Sequence, residues 1–175
     1  MKQLTQLLKE ATTRILSSYF KVMIDGGDPV YRERVYCYEL YHQLRCRWPS
    51  DSAFYLNGEL DKAGNPKLRE WGADTVKPDL LVHQPGYGKG NHTIIEVKTP
   101  EARVDGIKKD LETLSLFTRE VGYKRAIYLV FGEDASKAAD RIRSQVTNDH
   151  NASVIELWLH EAPGTAAVQD RLLTT

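Results

Sequence analysis

The chain has 175 residues, of which 41% are hydrophobic and 27% are charged. This length is about that of one domain and buries roughly 70% of the surface that the unfolded chain exposes, and the composition disfavours a collagen-like, disordered or membrane-spanning protein. Lysine and arginine together number 24, as do aspartate and glutamate, so the net charge is zero and no overall positive field attracts nucleic acid. Any polyanionic partner must therefore be held locally.

The cysteines and the N-terminal segment predict a cytoplasmic protein. Cys37 and Cys46 fall within one predicted helix, about 13 Å apart along its axis, which is too far for a disulfide. Charged residues from Lys9 to Lys21 interrupt every apolar run that could serve as the core of a signal peptide. We therefore expect reduced thiols and a cytoplasmic location.

Two helices are predicted before the first strand. Apolar residues at helical spacing over Leu4–Tyr19 predict an amphipathic N-terminal helix within residues 1–25, and the turn residues Asp25–Pro29 end it. A second helix is predicted over Val30–Arg47, because the Trp-Pro pair that follows disfavours helical backbone. Its tyrosines are assigned to core packing rather than to base stacking. The predicted core stripe consists of Val30, Tyr38, Tyr41 and Trp48, with Cys37 and Leu44 beside it.

Three strands follow, and the last two are predicted to form a hairpin. Residues Ala53–Leu60 predict a strand, and the polar segment Asp61–Pro66 predicts a loop. Two compact apolar runs, Pro78–His83 and His92–Lys98, flank eight residues rich in glycine and other turn formers. This pattern is typical of a β-hairpin with a flexible tip.

The rest of the chain is predicted to alternate between helices and strands. Thr99 and Pro100 supply a cap and a first-turn proline for a helix whose apolar face includes Ile107, Leu111 and Leu114. We predict a helix over Glu101–Val121, a buried strand over Arg125–Phe131 and a second helix over Asp134–Val146. A strand over Ser153–Leu159 and a loose tail over residues 161–175 follow. We interpret residues 1–175 as one domain with its core at 30–131 and an additional helix and strand at 132–160.

The hairpin carries the residues that suggest chemistry. Symmetrical pairing sets Asp79 opposite Glu96 and His83 opposite His92, and strand alternation puts Glu96 and Lys98 on one face. Carboxylates directly opposite each other destabilise a sheet, and a bound cation would resolve the conflict. Oxygen ligands suit Mg²⁺. Two carboxylates beside a lysine therefore predict metal-assisted phosphodiester cleavage, in which Lys98 stabilises developing charge.

Glu39 is a further candidate acid on the second predicted helix. It shares a polar strip with His42 and Gln43, away from the predicted core stripe. Acids on a helix surface are also common without any function, so a solvated surface position is an equal interpretation.

The motif resembles the PD-(D/E)XK signature of restriction-endonuclease-like nucleases. Pro78-Asp79, sixteen residues and then Glu96-Val97-Lys98 match its spacing, and the predicted elements over residues 30–131 resemble the αβββαβ core of that superfamily. The resemblance implies an α/β fold with a mixed central sheet flanked by helices, here with an extra N-terminal helix. It implies that Asp79, Glu96, the Val97 carbonyl and Glu39 are metal ligands and that Lys98 is the catalytic lysine.

The expected function is a Mg²⁺-dependent endonuclease, with Mn²⁺ as a substitute ion and DNA favoured over RNA as substrate. One alternative is a noncatalytic nucleic-acid-binding or assembly module that retains the nuclease fold. Another is a protein-interaction domain whose carboxylates are structural, for which the neutral net charge argues. For a domain this small, specificity would come from a homodimer or from a protein partner, and no membrane partner is expected.

Overall fold

The computed structural model describes residues 2–60, 66–72, 74, 76–146 and 153–175. The loop predicted over Asp61–Pro66 lies outside the described residues except for its last position. A short 3₁₀ turn spans Gly88–Gly90. The helices and strands in chain order are α1 (Lys2–Thr12), α2 (Ser17–Phe20), α3 (Glu33–Cys46), β1 (Tyr55–Gly58), α4 (Pro66–Glu70), β2 (Leu80–His83), β3 (Asn91–Lys98), α5 (Val104–Arg119), β4 (Arg125–Phe131), α6 (Ala135–Arg143), β5 (Val154–His160) and β6 (Val168–Thr174).

The strands of the described chain form one mixed sheet in the order β1-β2-β3-β4-β5-β6. The pairs β1–β2, β2–β3 and β5–β6 are antiparallel, whereas β3–β4 and β4–β5 are parallel. Helices α1, α2 and α3 pack on one face, and α4, α5 and α6 pack on the other. The prediction of an α/β fold with a mixed sheet flanked by helices is confirmed. None of the described helices is both long enough and apolar enough to cross a membrane.

Strand β4 lies at the centre of this sheet, as its sequence predicts. Residues 126–131 are all buried, because helices cover both faces of the parallel strands. Ile127 and Leu129 face the α1–α3 layer, and Tyr128 and Val130 face the α4–α6 layer. Because β3 is paired with β4, the same alternation determines which helical layer each residue of β3 faces.

Helix α3 is rotated relative to its predicted core stripe. Tyr36 is buried and stacks on Phe131 with ring centroids 3.8 Å apart, and its hydroxyl lies 2.7 Å from His160 Nδ1. Tyr38, assigned to the core from the sequence, is instead 59% exposed. Tyr41 and Trp48 pack against the core as predicted, and Cys37 and Leu44 are buried. The prediction was wrong for Tyr38, because the helix turns Tyr36 towards Phe131 and His160 instead. Helix α3 also begins at Glu33 rather than at residue 30.

Three other predictions need correction. The N-terminal helix is divided into α1 and α2, and the Thr12 hydroxyl accepts a hydrogen bond from the Ala167 N–H at the end of α1. Helix α5 begins at Val104, because Pro100 packs against the backbone of Gly132 and the chain turns there before the helix. The predicted loose tail forms the edge strand β6, in which exposed and charged residues obscure the apolar alternation.

Candidate active site

The hairpin register places the two predicted carboxylates next to each other. Leu80 pairs with Ile95 and Val82 with Thr93, which is the predicted register, and its continuation sets Asp79 opposite Glu96. At the other end a bulge shifts the register, so His83 pairs with Asn91 rather than with residue 92.

Asp79 caps the end of the β2–β3 ladder. Strand β2 begins one residue later, and the Asp79 Oδ2 atom accepts the N–H of Val97 at 2.7 Å where a backbone carbonyl would otherwise continue the pairing. The Asp79 carbonyl accepts the N–H of Glu59 at 3.1 Å, at the end of β1. Contacts to two strands therefore fix the position of this carboxyl group.

Glu96 is only 6% exposed and is hydrogen-bonded to Asp79. Burial raises the pKa of Glu96 well above its usual range, and repulsion from Asp79 and Asp110 adds to the effect. Burial also raises the pKa of Asp79, although the Val97 N–H opposes the shift. Without a cation, both shifts favour a proton shared by the pair, and the pKa rises further at Glu96 than at Asp79.

Lys98 is held between the two helical layers. Its Nζ atom lies 3.1 Å from Glu33 Oε1 on α3 and 3.0 Å from Asp110 Oδ2 on α5. Burial disfavours the ammonium charge, but Asp110 and Glu33 outweigh this effect and raise the pKa of Lys98. The Tyr128 hydroxyl donates to Asp110 Oδ2 at 3.3 Å. The lysine is thus charged at neutral pH and fixed in position.

We call Glu33, Asp79, Glu96 and Asp110 the acidic cluster. Glu33 and Asp110 form ion pairs with the Lys98 ammonium group, and Asp79 and Glu96 interact with it electrostatically. Burial raises the pKa of Glu33 and of Asp110, as it does for the other two members. The excess of acids over bases means that protons or a bound cation must offset the negative charge.

Glu39 does not join the three motif residues. Its Oε1 atom accepts a hydrogen bond from Gln43 at 2.7 Å, and it lies about 120° around the helix from Glu33. Helix α3 contributes Glu33 to the site instead. Sequence reasoning missed it because the predicted stripe was rotated; Glu33 lies one turn before the buried Cys37, which places it towards the sheet.

Asp110 and Tyr128 were also missed, although the sequence carried a signal for both. Asp110 interrupts the apolar face of α5, three residues after Ile107 and four before Leu114. Tyr128 lies within an otherwise apolar central strand, where a buried hydroxyl needs a partner. An acid on a buried helix face and a tyrosine in a buried strand together indicate a polar contact between them.

The oxygen donors at the hairpin fit a hard divalent cation. Asp79 and Glu96 supply two carboxylates, and the Val97 carbonyl points to the same strand edge as its N–H, towards Asp79. In the part of the chain that the structure describes, no three His, Cys, Asp or Glu side chains converge as a metal-ligand group. Mg²⁺ needs no such group, because it binds through one or two carboxylates and retains water. A structural Zn²⁺ site would require four protein ligands.

No protein-family model, curated protein or solved structure matches this chain. The functional inference therefore depends on the geometry of the site. That geometry combines a carboxylate pair suited to a divalent cation with an adjacent ammonium group of fixed charge. Such a combination is suited to a reaction at an anionic centre, such as a phosphodiester.

Proposed function

We propose that this protein is a Mg²⁺-dependent nuclease with a restriction-endonuclease-like core that hydrolyses phosphodiester bonds, in DNA rather than RNA. The observation that carries the proposal is the contact between Asp79 and Glu96 on adjacent strands, with Lys98 on the same face of β3. Burying two carboxyl groups against each other costs stability, and a purely structural role gives no compensation for that cost.

The order of the elements supports the core assignment. Helix α3, strands β1, β2 and β3, helix α5 and strand β4 follow one another as helix, three strands, helix and strand, with the short α4 between β1 and β2. The first three strands are antiparallel neighbours, and β4 lies parallel to β3. This is the arrangement that the resemblance of the motif implies.

Each residue of the site has a role in the proposed reaction. Asp79, Glu96 and the Val97 carbonyl would hold the Mg²⁺ ion, which when bound polarises a phosphoryl oxygen and lowers the pKa of a bound water. Lys98 stabilises the negative charge that develops on the phosphate. Asp110 and Glu33 act as positioning residues, because their carboxylates fix the Lys98 ammonium group.

One observation favours a noncatalytic nucleic-acid-binding module as a second candidate. Lys98 contacts two carboxylates, so its charge is already compensated within the protein. In such a module the acidic cluster would be a remnant of the fold without a reaction to perform.

Cleavage assays separate these candidates. The protein is incubated with supercoiled, linear, branched and single-stranded DNA and with matched RNA, in Mg²⁺, in Mn²⁺ and in chelator. We expect cleavage that needs the ion, that is lost in Glu96→Gln and that persists in Glu39→Gln, a matched substitution on a buried acid outside the site. Absence of cleavage on every substrate would contradict the nuclease and favour the noncatalytic module.

A further inference from the structure

The solvent-facing side of α3 carries a stripe of basic and aromatic residues. Four of its exposed positions, Arg34, Tyr38, His42 and Arg45, span an arc of about 80° at 3.6 residues per turn. None of these positions is acidic, although acids and bases are equally frequent in the whole chain. We call these four residues the α3 stripe.

The stripe begins at the acidic cluster. Arg34 directly follows Glu33, whose Oε1 atom lies 3.1 Å from Lys98 Nζ. From Arg34 to Arg45 the helix extends about 16 Å. The stripe therefore leads along the surface from the site for a length suited to a short stretch of strand.

We propose that the α3 stripe binds a single-stranded nucleic acid and directs it to the acidic cluster. The inference rests on the proposed nuclease function and specifies the substrate class of that site. The acidic cluster repels phosphates, and the chain as a whole has no net positive charge. A polyanionic substrate thus needs a local basic surface beside the site, and the α3 stripe provides one.

Charge alone does not distinguish a single strand from a duplex, but Tyr38 does. Its ring is 59% exposed between arginines one and two turns away on the same helix face. Exposed aromatic rings among basic residues stack on bases, and only an unpaired base offers its face to them. His42 adds a second ring to the stripe, with a ring nitrogen 3.7 Å from Cys46 Sγ.

An ion pair formed by Arg34 does not prevent phosphate binding. Arg34 Nε lies 3.2 Å from Glu59 Oε1, and the Arg34 side chain is 70% exposed. Exposed pairs of this kind are weak, so a phosphate can replace the Glu59 carboxylate.

The test measures binding in chelator, so that it does not depend on cleavage. A labelled single-stranded DNA of about twelve nucleotides and a blunt duplex of the same sequence are titrated by fluorescence anisotropy. We expect Tyr38→Ala to weaken single-strand binding at least about fivefold, with duplex binding unchanged. Tyr38→Phe keeps the ring and should keep the affinity. Tyr87→Ala is the matched control, since Tyr87 is 55% exposed in the hairpin tip, at the opposite end of β3 from Lys98.

Salt dependence tests the basic residues separately. Arg34→Ala and Arg45→Ala should each reduce the slope of log affinity against log salt by about 0.7, the value for one lost phosphate contact on a single strand. Arg143→Ala serves as the control, because Arg143 is also exposed and ion-paired but lies on α6, behind the other face of the sheet.

The outcomes separate this inference from the proposed function. If Tyr38→Ala binds like Tyr87→Ala, or if the parent binds no single strand, the inference is wrong even where the protein cleaves nucleic acid. If the stripe variants lose single-strand binding but no substrate is cleaved, the inference stands and the nuclease proposal fails. Melting temperatures equal to that of the parent would show that the exposed substitutions leave the fold intact.

Discussion

Buried charges are balanced at one end of the parallel strands and unbalanced at the other. At the amino end of β4, Arg125 forms two hydrogen bonds with Glu156 of β5, at 2.5 and 2.7 Å. Trp158 Nε1 donates to the same carboxylate, and although burial opposes the charge, these contacts lower the pKa of Glu156. One acid is matched by one base, and the carboxylate accepts several donors.

At the carboxyl end, four acids share one lysine and burial raises the pKa of every member of the acidic cluster. Both ends lie in the same sheet, so the difference does not arise from the fold alone. A balanced pair stabilises the sheet, whereas the unbalanced cluster costs stability unless a cation binds. The comparison supports the proposal that the carboxyl end binds a cation and carries out the reaction.

The largest expected effect follows from removing the Lys98 ammonium group beside the acidic cluster. Lys98→Met keeps the length of the side chain but removes the ammonium group, so cleavage in Mg²⁺ should slow by about 100- to 1,000-fold. Single-turnover cleavage rates, measured at a temperature where the variant is folded, check this. Lys137→Met is the control, because Lys137 is an exposed lysine paired with Asp134 on α6. A rate equal to that of the parent would contradict the role assigned to Lys98.

Breaking the balanced pair should produce the largest change in stability. Arg125→Met leaves Glu156 without its base and should lower the free energy of unfolding by about 3 kcal/mol, the low end of the range for a broken buried pair, because each side chain keeps 16% exposure. Glu96→Gln at the other end should leave the metal-free stability equal or higher, because the amide cannot ionise in its buried position and can still donate to Asp79. Urea unfolding in chelator measures both. A larger loss of stability for Glu96→Gln than for Arg125→Met would contradict the comparison.

Much of the fold could be predicted because its signals are local. The continuous apolar run of β4 gave its bounds without error, and the hairpin register of β2 and β3 followed from symmetry up to the bulge at His83. The strand β6 could not be predicted, because an edge strand needs only one buried face and its pairing with β5 is a tertiary contact. The rotation of α3 likewise depends on the distant partners of Tyr36.

The site was predictable where the chain is extended and less so where helices supply residues. Alternation along a strand placed Asp79, Glu96 and Lys98 together. A helix face depends on a rotation of 100° per residue, so an error in the α3 core stripe was enough to favour Glu39 over Glu33. Asp110 lies twelve residues beyond Lys98 in sequence, and only the packing of α5 on β3 brings the two side chains into contact.

A divalent cation should stabilise the carboxyl end and leave the amino end unaffected. Mg²⁺ at about a hundred times its Kd should raise the free energy of unfolding by about 2.7 kcal/mol, since only the folded chain brings Asp79 and Glu96 together. Asp79→Asn should abolish this gain while the metal-free protein melts at the same or a higher temperature, because an amide oxygen can still accept the Val97 N–H. Thermal melts of both proteins with Mg²⁺ and with chelator test this. A lower metal-free melting temperature for Asp79→Asn would show that the carboxylate is structural.

The smallest expected effect is a pH dependence of the free energy of unfolding. Its sign is opposite for Glu96 and Glu156, at the two ends of the parallel strands. The folded state binds a proton on Glu96 more tightly than the unfolded state does, so this contribution to stability is present below the usual Glu pKa of 4.5 and is lost as pH rises through the raised pKa. Glu156 behaves in the opposite way, because its lowered pKa gives stability that is lost as pH falls below that same value.

The difference between the parent and Glu96→Gln isolates the first contribution, since the buried His92 and His160, whose pKa burial lowers to about 4, contribute equally to both proteins. In chelator, the stability of the parent relative to Glu96→Gln should fall as pH rises above 4.5, by at most about 1.4 kcal/mol per pH unit for one proton. Saturating Mg²⁺ should reverse this slope, because the ion displaces the proton and binds more tightly as the carboxyl group ionises. A difference that does not change with pH in chelator would mean that Glu96 is ionised in the metal-free protein, and the shared proton at the carboxyl end would then be disproved.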